Sequence, residues 1–368
     1  MQAAFMAQRF QVAGRLVTVD AIGGGNVNET FQAIFRTVYS EERFFLQRIS
    51  PNVFKEPEQV MENMLYVTSF VHQRLEEEAA FSDRIWQLPR IIPAKDGKYY
   101  TIDGEGYYWR AITAIASASS YNSIQSPEHA YEIGAVLGHF HRIFSELDVT
   151  RLHDTLPGFH ITPQYLAHLD QVLQDSDVKD RLNSSAVAGN VLKFIDRHRD
   201  VISTLEDAKE RGELVLRPIH GDPKTANIMI DDATGKGTCI IDLDTVKPGL
   251  IHYDLGDCLR SCCNPAGEDT TDLNGVFFNS DLCEAVLLGY KEHSRNFLTD
   301  ADKAYLYDAI RLITLELAIR FFTDFLAGDT YFKIHHSGQN LERARVQIKL
   351  CQSIEARRSQ IKRLADEL

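Results

Sequence analysis

A chain of 368 residues is long for a single hydrophobic core and points to two domains, or two lobes sharing a cleft. Its composition, 44% hydrophobic and 25% charged, excludes disorder and fibrous repeats. Thirty-nine basic residues against 52 acidic ones leave a net charge of −13, which disfavours nucleic acid and anionic membranes as partners. Met1 to Arg9 lack a basic segment followed by an apolar one, and no apolar run is long enough to span a bilayer, so a soluble cytoplasmic protein is expected. Strands are expected at 16–22, 31–39, 43–49 and 107–112, where β-branched and aromatic residues run between Gly, Asn, Glu and Asp. One helix interrupts them at 57–75, with Val60, Met64, Val67, Val71 and Leu75 at helical spacing. Residues 115–122, small and uncharged, read as an unstructured joint between lobes.

Beyond the joint, helices are expected at 127–147, 184–210, 280–296, 300–326 and 340–367. Ser126 is the expected N-cap of the first, with Pro127 at its first position and Ile133, Leu137, Phe140 and Phe144 on its apolar face. The expected division is an N-terminal lobe over 1–113 and a C-terminal lobe over 114–368. Six cysteines, none in a CxxC pair, read as buried free thiols.

The chemistry is concentrated in 214–244, the one β-rich stretch of the second half. An apolar run ends in His220-Gly221-Asp222, Asn227 opens a second run, and a third ends in Asp242. Folded as a hairpin with its turn between Thr234 and Gly235, this would set Asn227 opposite Asp242, about 5 Å apart at Cα. An amide oxygen and a carboxylate so placed suit Mg²⁺ held together with substrate phosphates. Asp222 is then free to meet a substrate hydroxyl, which is the division of labour that phosphoryl transfer requires. Gly23, Gly24 and Gly25, followed by Asn26 and Asn28 between two strands, could lie over the phosphates.

These motifs resemble the kinase-like phosphotransferases, the aminoglycoside phosphotransferase and choline kinase superfamily. The likeness is nearest to the N-acetylhexosamine 1-kinases and extends through Phe45–Arg48, Ser120–Asn122, Ile240–Thr245, Asp254–Asp257, Arg320-Phe321, Gly328–Phe332 and Gln347–Leu350. The resemblance implies an α+β, protein-kinase-like two-lobed fold, a small antiparallel sheet lobe with one helix on a larger, mainly helical lobe. It implies ATP between the lobes under Gly23–Gly25, with Gln47 near the phosphates and a hinge at Ala114–Ala116 reading the base. Asp222 would be the catalytic base, Asn227 and Asp242 the Mg²⁺ ligands, and Asp254 a support of the catalytic loop. Sugar contacts would come from Asn26, Asn28, Asp242, Arg320, Asp324 and Tyr331. The implied reaction moves the γ-phosphate of ATP to a sugar hydroxyl, N-acetylhexosamine (GlcNAc or GalNAc) going to its 1-phosphate. ATP and the sugar are the expected partners, without nucleic acid or membrane, for a monomer or weak homo-oligomer.

Two departures stand out. Gln47 occupies the slot where kinases of this fold carry a Lys, and Asn26 stands where the hexosamine kinases carry His. An amino alcohol, aminoglycoside or other amine is the alternative acceptor, and a nucleotide-binding protein without catalysis is a third reading. His139 and His141, two apart on a helix, and His335-His336 in a loop read as structural or surface residues, and Glu76–Glu78 as a solvated helix end.

Overall fold

The computed structural model describes residues 2–22, 27–78, 84–183, 185–294 and 297–368. In chain order its elements begin with helix α1 (Gln2–Ala7) and strands β1 (Arg15–Ile22), β2 (Glu29–Arg36) and β3 (Glu41–Arg48). Helix α2 (Pro57–Glu78) follows, then β4 (Ile91–Ile92), β5 (Thr101–Ile102), β6 (Tyr108–Thr113) and β7 (Ala118–Ser120). Next come α3 (Pro127–Phe144), α4 (Thr162–Val172), α5 (Ser176–Asn183), α6 (Ala186–Asp196), α7 (Thr204–Glu210) and β8 (Arg217–Ile219). The chain closes with β9 (Ile228–Asp231), β10 (Gly237–Ile240), β11 (Lys247–Gly249), α8 (Ile251–Cys262), α9 (Ser280–Ser294), α10 (Asp300–Ala304), α11 (Leu306–Ala327), α12 (Gln339–Ala356) and α13 (Arg358–Asp366).

The first lobe is an antiparallel sheet in the order β1-β2-β3-β6-β4, with β5 also on β6. Its own small core gathers Phe10, Phe35, Phe44, Leu46 and Trp109 against α1. Helix α2 belongs energetically to the other lobe: Val60, Met64, Val67 and Val71, the stripe read from helical spacing, are buried in the large core that runs through α3, α8, α9 and α11. The two lobes are thus a sheet with its own core and a helical body that also claims the sheet lobe's one long helix. This is the α+β, two-lobed architecture that the resemblance implies.

Helix α3 starts as its sequence predicts. Ser126 accepts the His129 N–H at 3.2 Å, Pro127 follows, and Ile133, Leu137, Phe140 and Phe144 are buried. Its partner is α9, and the two backbones touch. A Cβ at Gly134 would stand 1.8 Å from the Val286 carbonyl oxygen, and one at Gly289 would stand 2.0 Å from that of Tyr131. No side chain can yield there, because the obstacle is backbone. Gly289→Ala is therefore expected to destabilise by about 3 kcal/mol or to prevent soluble expression, although alanine in place of glycine ordinarily favours a helix. Thermal unfolding of this variant beside the solvent-facing control Gly189→Ala, where a Cβ meets nothing, checks it.

Several expectations are corrected. The joint is not structureless: β7 lies inside it and pairs with β9, so the crossing segment is stitched into a three-stranded sheet, β10-β9-β7. The helix expected over 184–210 is two, α6 and α7, separated by a 3₁₀ turn at Arg199–Val201, where Arg199 turns out to pair with Asp170 at 2.6 Å. That over 300–326 breaks at Tyr305, whose hydroxyl is drawn to Glu213 and accepts from Arg211 at 3.0 Å. The last one breaks at Arg357, whose guanidinium folds back on Ser353. All six cysteines are buried free thiols, as expected. Among the described residues no helix is long and apolar enough to cross a membrane.

Candidate active site

The β9–β10 hairpin lies one residue away from the predicted register. Ile240 pairs with Ile228, and Ile241 N–H donates to the Asn227 carbonyl at 2.8 Å, because the turn closes earlier than expected, with Gly237 opposite Ile230, and the bulge between Gly237 and Cys239 recovers only part of that offset. Asn227 therefore faces Ile241, not Asp242. Asp242 comes next and reaches the cleft by another route: its backbone is left-handed, φ 67° and ψ 58°, at the point where the strand gives way to a 3₁₀ turn, Leu243–Thr245. A non-glycine residue is held there only when its surroundings over-determine it.

The His220–Asp222 loop is fixed from below. Asp254, fully buried on α8, accepts the His220 N–H and the Gly221 N–H, both at 2.7 Å, and a third bond from His141 Nε2 at 2.9 Å. Burial alone would raise this carboxyl, but these donors outweigh it and hold it below the ordinary carboxylate range. His141, discounted on its spacing, is the residue that anchors Asp254 to α3, and its Nδ1 accepts from Tyr290 Oη at 2.9 Å. His220 Nε2 donates to the Ile241 carbonyl at 2.9 Å, and its Nδ1 accepts the Asp222 N–H at 3.2 Å. The ring is thereby set as one neutral tautomer, and its burial pushes its pKa down.

Asp222 stands above this support. Its Oδ2 takes Lys224 Nζ at 2.6 Å and Asn227 Nδ2 at 3.1 Å, while Asn227 Nδ2 also holds the Asp222 carbonyl at 2.8 Å. With the Asn227 amide hydrogens engaged on Asp222, its Oδ1 is the atom turned to other ligands. Asp242, which stays open to solvent in the cleft, is pushed up to about 7 by the protein atoms crowding its carboxylate and by the negative charges of Asp244 and Asp222. Crowded carboxylates of this kind fit a divalent cation, which would restore the ionised form. Among the described residues no three His, Cys, Asp or Glu side chains converge as a self-sufficient metal cage. Asn227 Oδ1 and Asp242 are the residues that would hold Mg²⁺, with phosphate and water completing its shell.

Lys224 was missed from sequence. Its signal was present, a cation two residues after the candidate base Asp222, but a lysine in a loop reads as a surface charge until its ammonium is seen on that carboxylate. Gln47 sits on the cleft side of β3, with both ends of its amide engaged: Nε2 donates to Thr30 Oγ1 at 3.2 Å, and Oε1 accepts Arg110 Nε at 2.9 Å. It is linked to the site through Arg110 and keeps a second N–H on Nε2. Asn28 is buried, accepts the Ser50 N–H at 2.9 Å and donates to Asp244. Ala114 and Ala116 lie between β6 and β7, where the chain crosses from one lobe to the other. Gly23, Gly24, Gly25 and Asn26 lie outside the described residues.

On the far side of Gly221, α11 supplies a second constellation. His160, fully buried with φ 65°, bridges the Gly221 carbonyl (Nε2, 2.7 Å) and Glu316 (Nδ1, 3.2 Å). Burial works to lower its pKa, but the Glu316 carboxylate and the carbonyl prevail and raise it. Two acceptors on the two ring nitrogens require an imidazolium. Glu316 also pairs with Arg320 at 3.4 Å, and the Arg320 guanidinium lies within 5.5 Å of the ring centres of Phe159, Tyr165 and Phe332. Arg320 and Asp324 share the helix but do not pair. The Asp324 carboxylate accepts the N–H groups of Thr330 and Tyr331 (2.8 Å each) and Phe332 (2.9 Å), plus Asn340 Nδ2 at 2.9 Å. Asp324 thus shapes the loop that carries Tyr331, which is 62% exposed.

A sheet lobe set on a helical lobe, with a carboxylate, an ammonium and an amide converging between them, is the architecture of a kinase-like phosphotransferase. Residues 18–281 match the phosphotransferase enzyme family, and the chain belongs to that family. Among solved structures it is similar to a microcompartment-associated aminopropanol kinase, at 16% identity over 98% of both chains with a TM-score of 0.63. It is also similar to an aminoglycoside phosphotransferase from Alicyclobacillus acidocaldarius (15% identity, 99% of this chain and 96% of that one, TM-score 0.56). A spectinomycin phosphotransferase solved with ADP and spectinomycin matches at 13% identity over 98% of both chains, TM-score 0.54. At these identities the likeness establishes the fold.

Proposed function

We propose that the protein transfers the γ-phosphoryl group of ATP to a hydroxyl of a small acceptor, most favourably the anomeric hydroxyl of an N-acetylhexosamine. The observation that carries the reaction type is the convergence of Asp222, Lys224, Asn227 and Asp242 at one point of the cleft. In this reading Asp222 Oδ2 accepts the acceptor's hydroxyl proton as the oxygen attacks phosphorus in line and the bond to ADP breaks. Lys224 leaves Asp222 for the transferring phosphoryl oxygens, so the carboxylate gains basicity as the nucleotide seats. Bound Mg²⁺ would supply charge neutralisation to the phosphates; this chain's part is to hold Asn227 and Asp242 rigid and to exclude water.

The α11 constellation supports this choice of acceptor class. Three aromatic rings facing one cation are what an ammonium substrate would need, and the protein's own Arg320 fills that box. A buried guanidinium repels a second cation and donates well to sugar or acetamide oxygens. This supports a neutral sugar over an amino alcohol. The test is ADP release with ATP and a panel containing GlcNAc, GalNAc, ethanolamine, choline, aminopropanol and an aminoglycoside. The sugars should turn over and the amines should not; turnover confined to the amines would replace the sugar by a cationic acceptor.

A further inference from the structure

The β3 position nearest the catalytic-loop side of the cleft, Gln47, is neutral. The cation comes from the neighbouring strand. Arg110 is the register partner of Gln47 across β3 and β6, so the two side chains leave the same face of the sheet. Arg110 is only 1% exposed. Its Nε is held by Gln47 at 2.9 Å, one terminal nitrogen lies 2.7 Å from Met64 Sδ on α2, and the other forms an ion pair with Asp244. Asp244 is equally buried and also accepts from Asn28, while its main-chain carbonyl takes Thr155 Oγ1 at 3.2 Å.

A buried pair of this kind is weak evidence for stability, because desolvation offsets its attraction. Its position is more informative. The pair spans the lobes and grips the residue two beyond Asp242, and the next residue, Thr245, bonds through Oγ1 to the His220 carbonyl at 2.6 Å. The left-handed Asp242 is thus clamped between a sheet-lobe tie and the catalytic loop.

We propose that Arg110 is a positioning residue for phosphoryl transfer: steered by Gln47, it clamps Asp244 and so holds Asp242 in its cleft-facing conformation. This rests on the phosphotransferase reading of the same site. ADP binding by calorimetry, with and without Mg²⁺, and steady-state kinetics of Arg110→Met, Arg110→Lys and Gln47→Leu test it. A misplaced ligand should cost Arg110→Met about 100-fold in kcat and about tenfold in ADP affinity with Mg²⁺, but under about threefold in ADP affinity without it or in acceptor KM. Arg110→Lys should recover part of the loss, since the charge returns without the fork. Adding Asp244→Asn to Arg110→Met should cost little more, because both act through one contact.

A folded Arg110→Met whose kcat and Mg²⁺-linked ADP affinity stay near those of the parent overturns the proposal, as does equal loss of ADP binding with and without Mg²⁺. Where Arg110→Met does not fold, Gln47→Leu decides: it keeps the ion pair, removes the steering bond and should shift the same quantities less, and no shift refutes the clamp. Should the parent bind ADP with Mg²⁺ yet phosphorylate no acceptor, the proposed function fails while the binding arm still judges Arg110.

Discussion

Replacing Asp222 with asparagine is expected to lower kcat about a thousandfold while leaving ADP affinity within about threefold. Asparagine keeps the shape and can still meet Lys224 and Asn227 through its amide oxygen, so the support beneath the loop is untouched. What disappears is the group that takes the proton. Lys224 is 34% exposed on its side chain and can return to solvent, so the lost ion pair carries little stability. Stopped-turnover kinetics and nucleotide calorimetry on the same preparation check both halves. A drop in kcat accompanied by an equal loss of ADP binding would point to collapse of the loop and away from a catalytic base.

Asp242→Asn should give an opposite pairing of effects. Activity is expected to fall by about a hundredfold or more, with a higher Mg²⁺ requirement, because a charged ligand becomes a neutral one. The metal-free protein should become more stable. With its pKa raised to about 7, folded Asp242 binds more protons than the unfolded residue between the ordinary carboxylate range and pH 7. Stability is therefore lost as pH rises through that window, and at pH 8 the ionised carboxylate opposes folding. Asparagine removes the repulsion from Asp244 and Asp222, so unfolding in EDTA should shift slightly upward at pH 8 and hardly at pH 5, the solvent that reaches Asp242 screening much of the effect. Loss of activity with gain of stability marks a residue strained for function.

Much of this site was legible in the sequence because it is local. The H-G-D loop, Asn227 and the Asp242 segment lie within two dozen residues, and hairpin arithmetic brought them to within one residue of the observed register. The remaining residue comes from the turn, which centres between Ala233 and Thr234 and not between Thr234 and Gly235, and a β-bulge recovers only part of that shift. Period-3.6 patterning placed α2 well, since it buries a single stripe, while α3, buried on nearly every side, was placed by its Ser126 cap and Pro127. The patterning overran at 184–210 and 300–326, where Arg199 and Tyr305 meet partners distant in the sequence, and at 340–367, where Arg357 folds back on Ser353. The same limit hid Arg110, a lone charge in the apolar run Tyr108–Thr113 that gains meaning only beside Gln47 and Asp244. His160 and Glu316 were missed because 156 residues separate them.

The most direct test of the central claim is ³¹P and ¹H NMR of the product formed from ATP, Mg²⁺ and a mixture of N-acetylhexosamines with ethanolamine. A phosphorus signal coupled to an anomeric proton, appearing as ATP is converted to ADP, is the predicted result. Phosphoethanolamine as the sole product, or ATP left intact beside every acceptor, would contradict it.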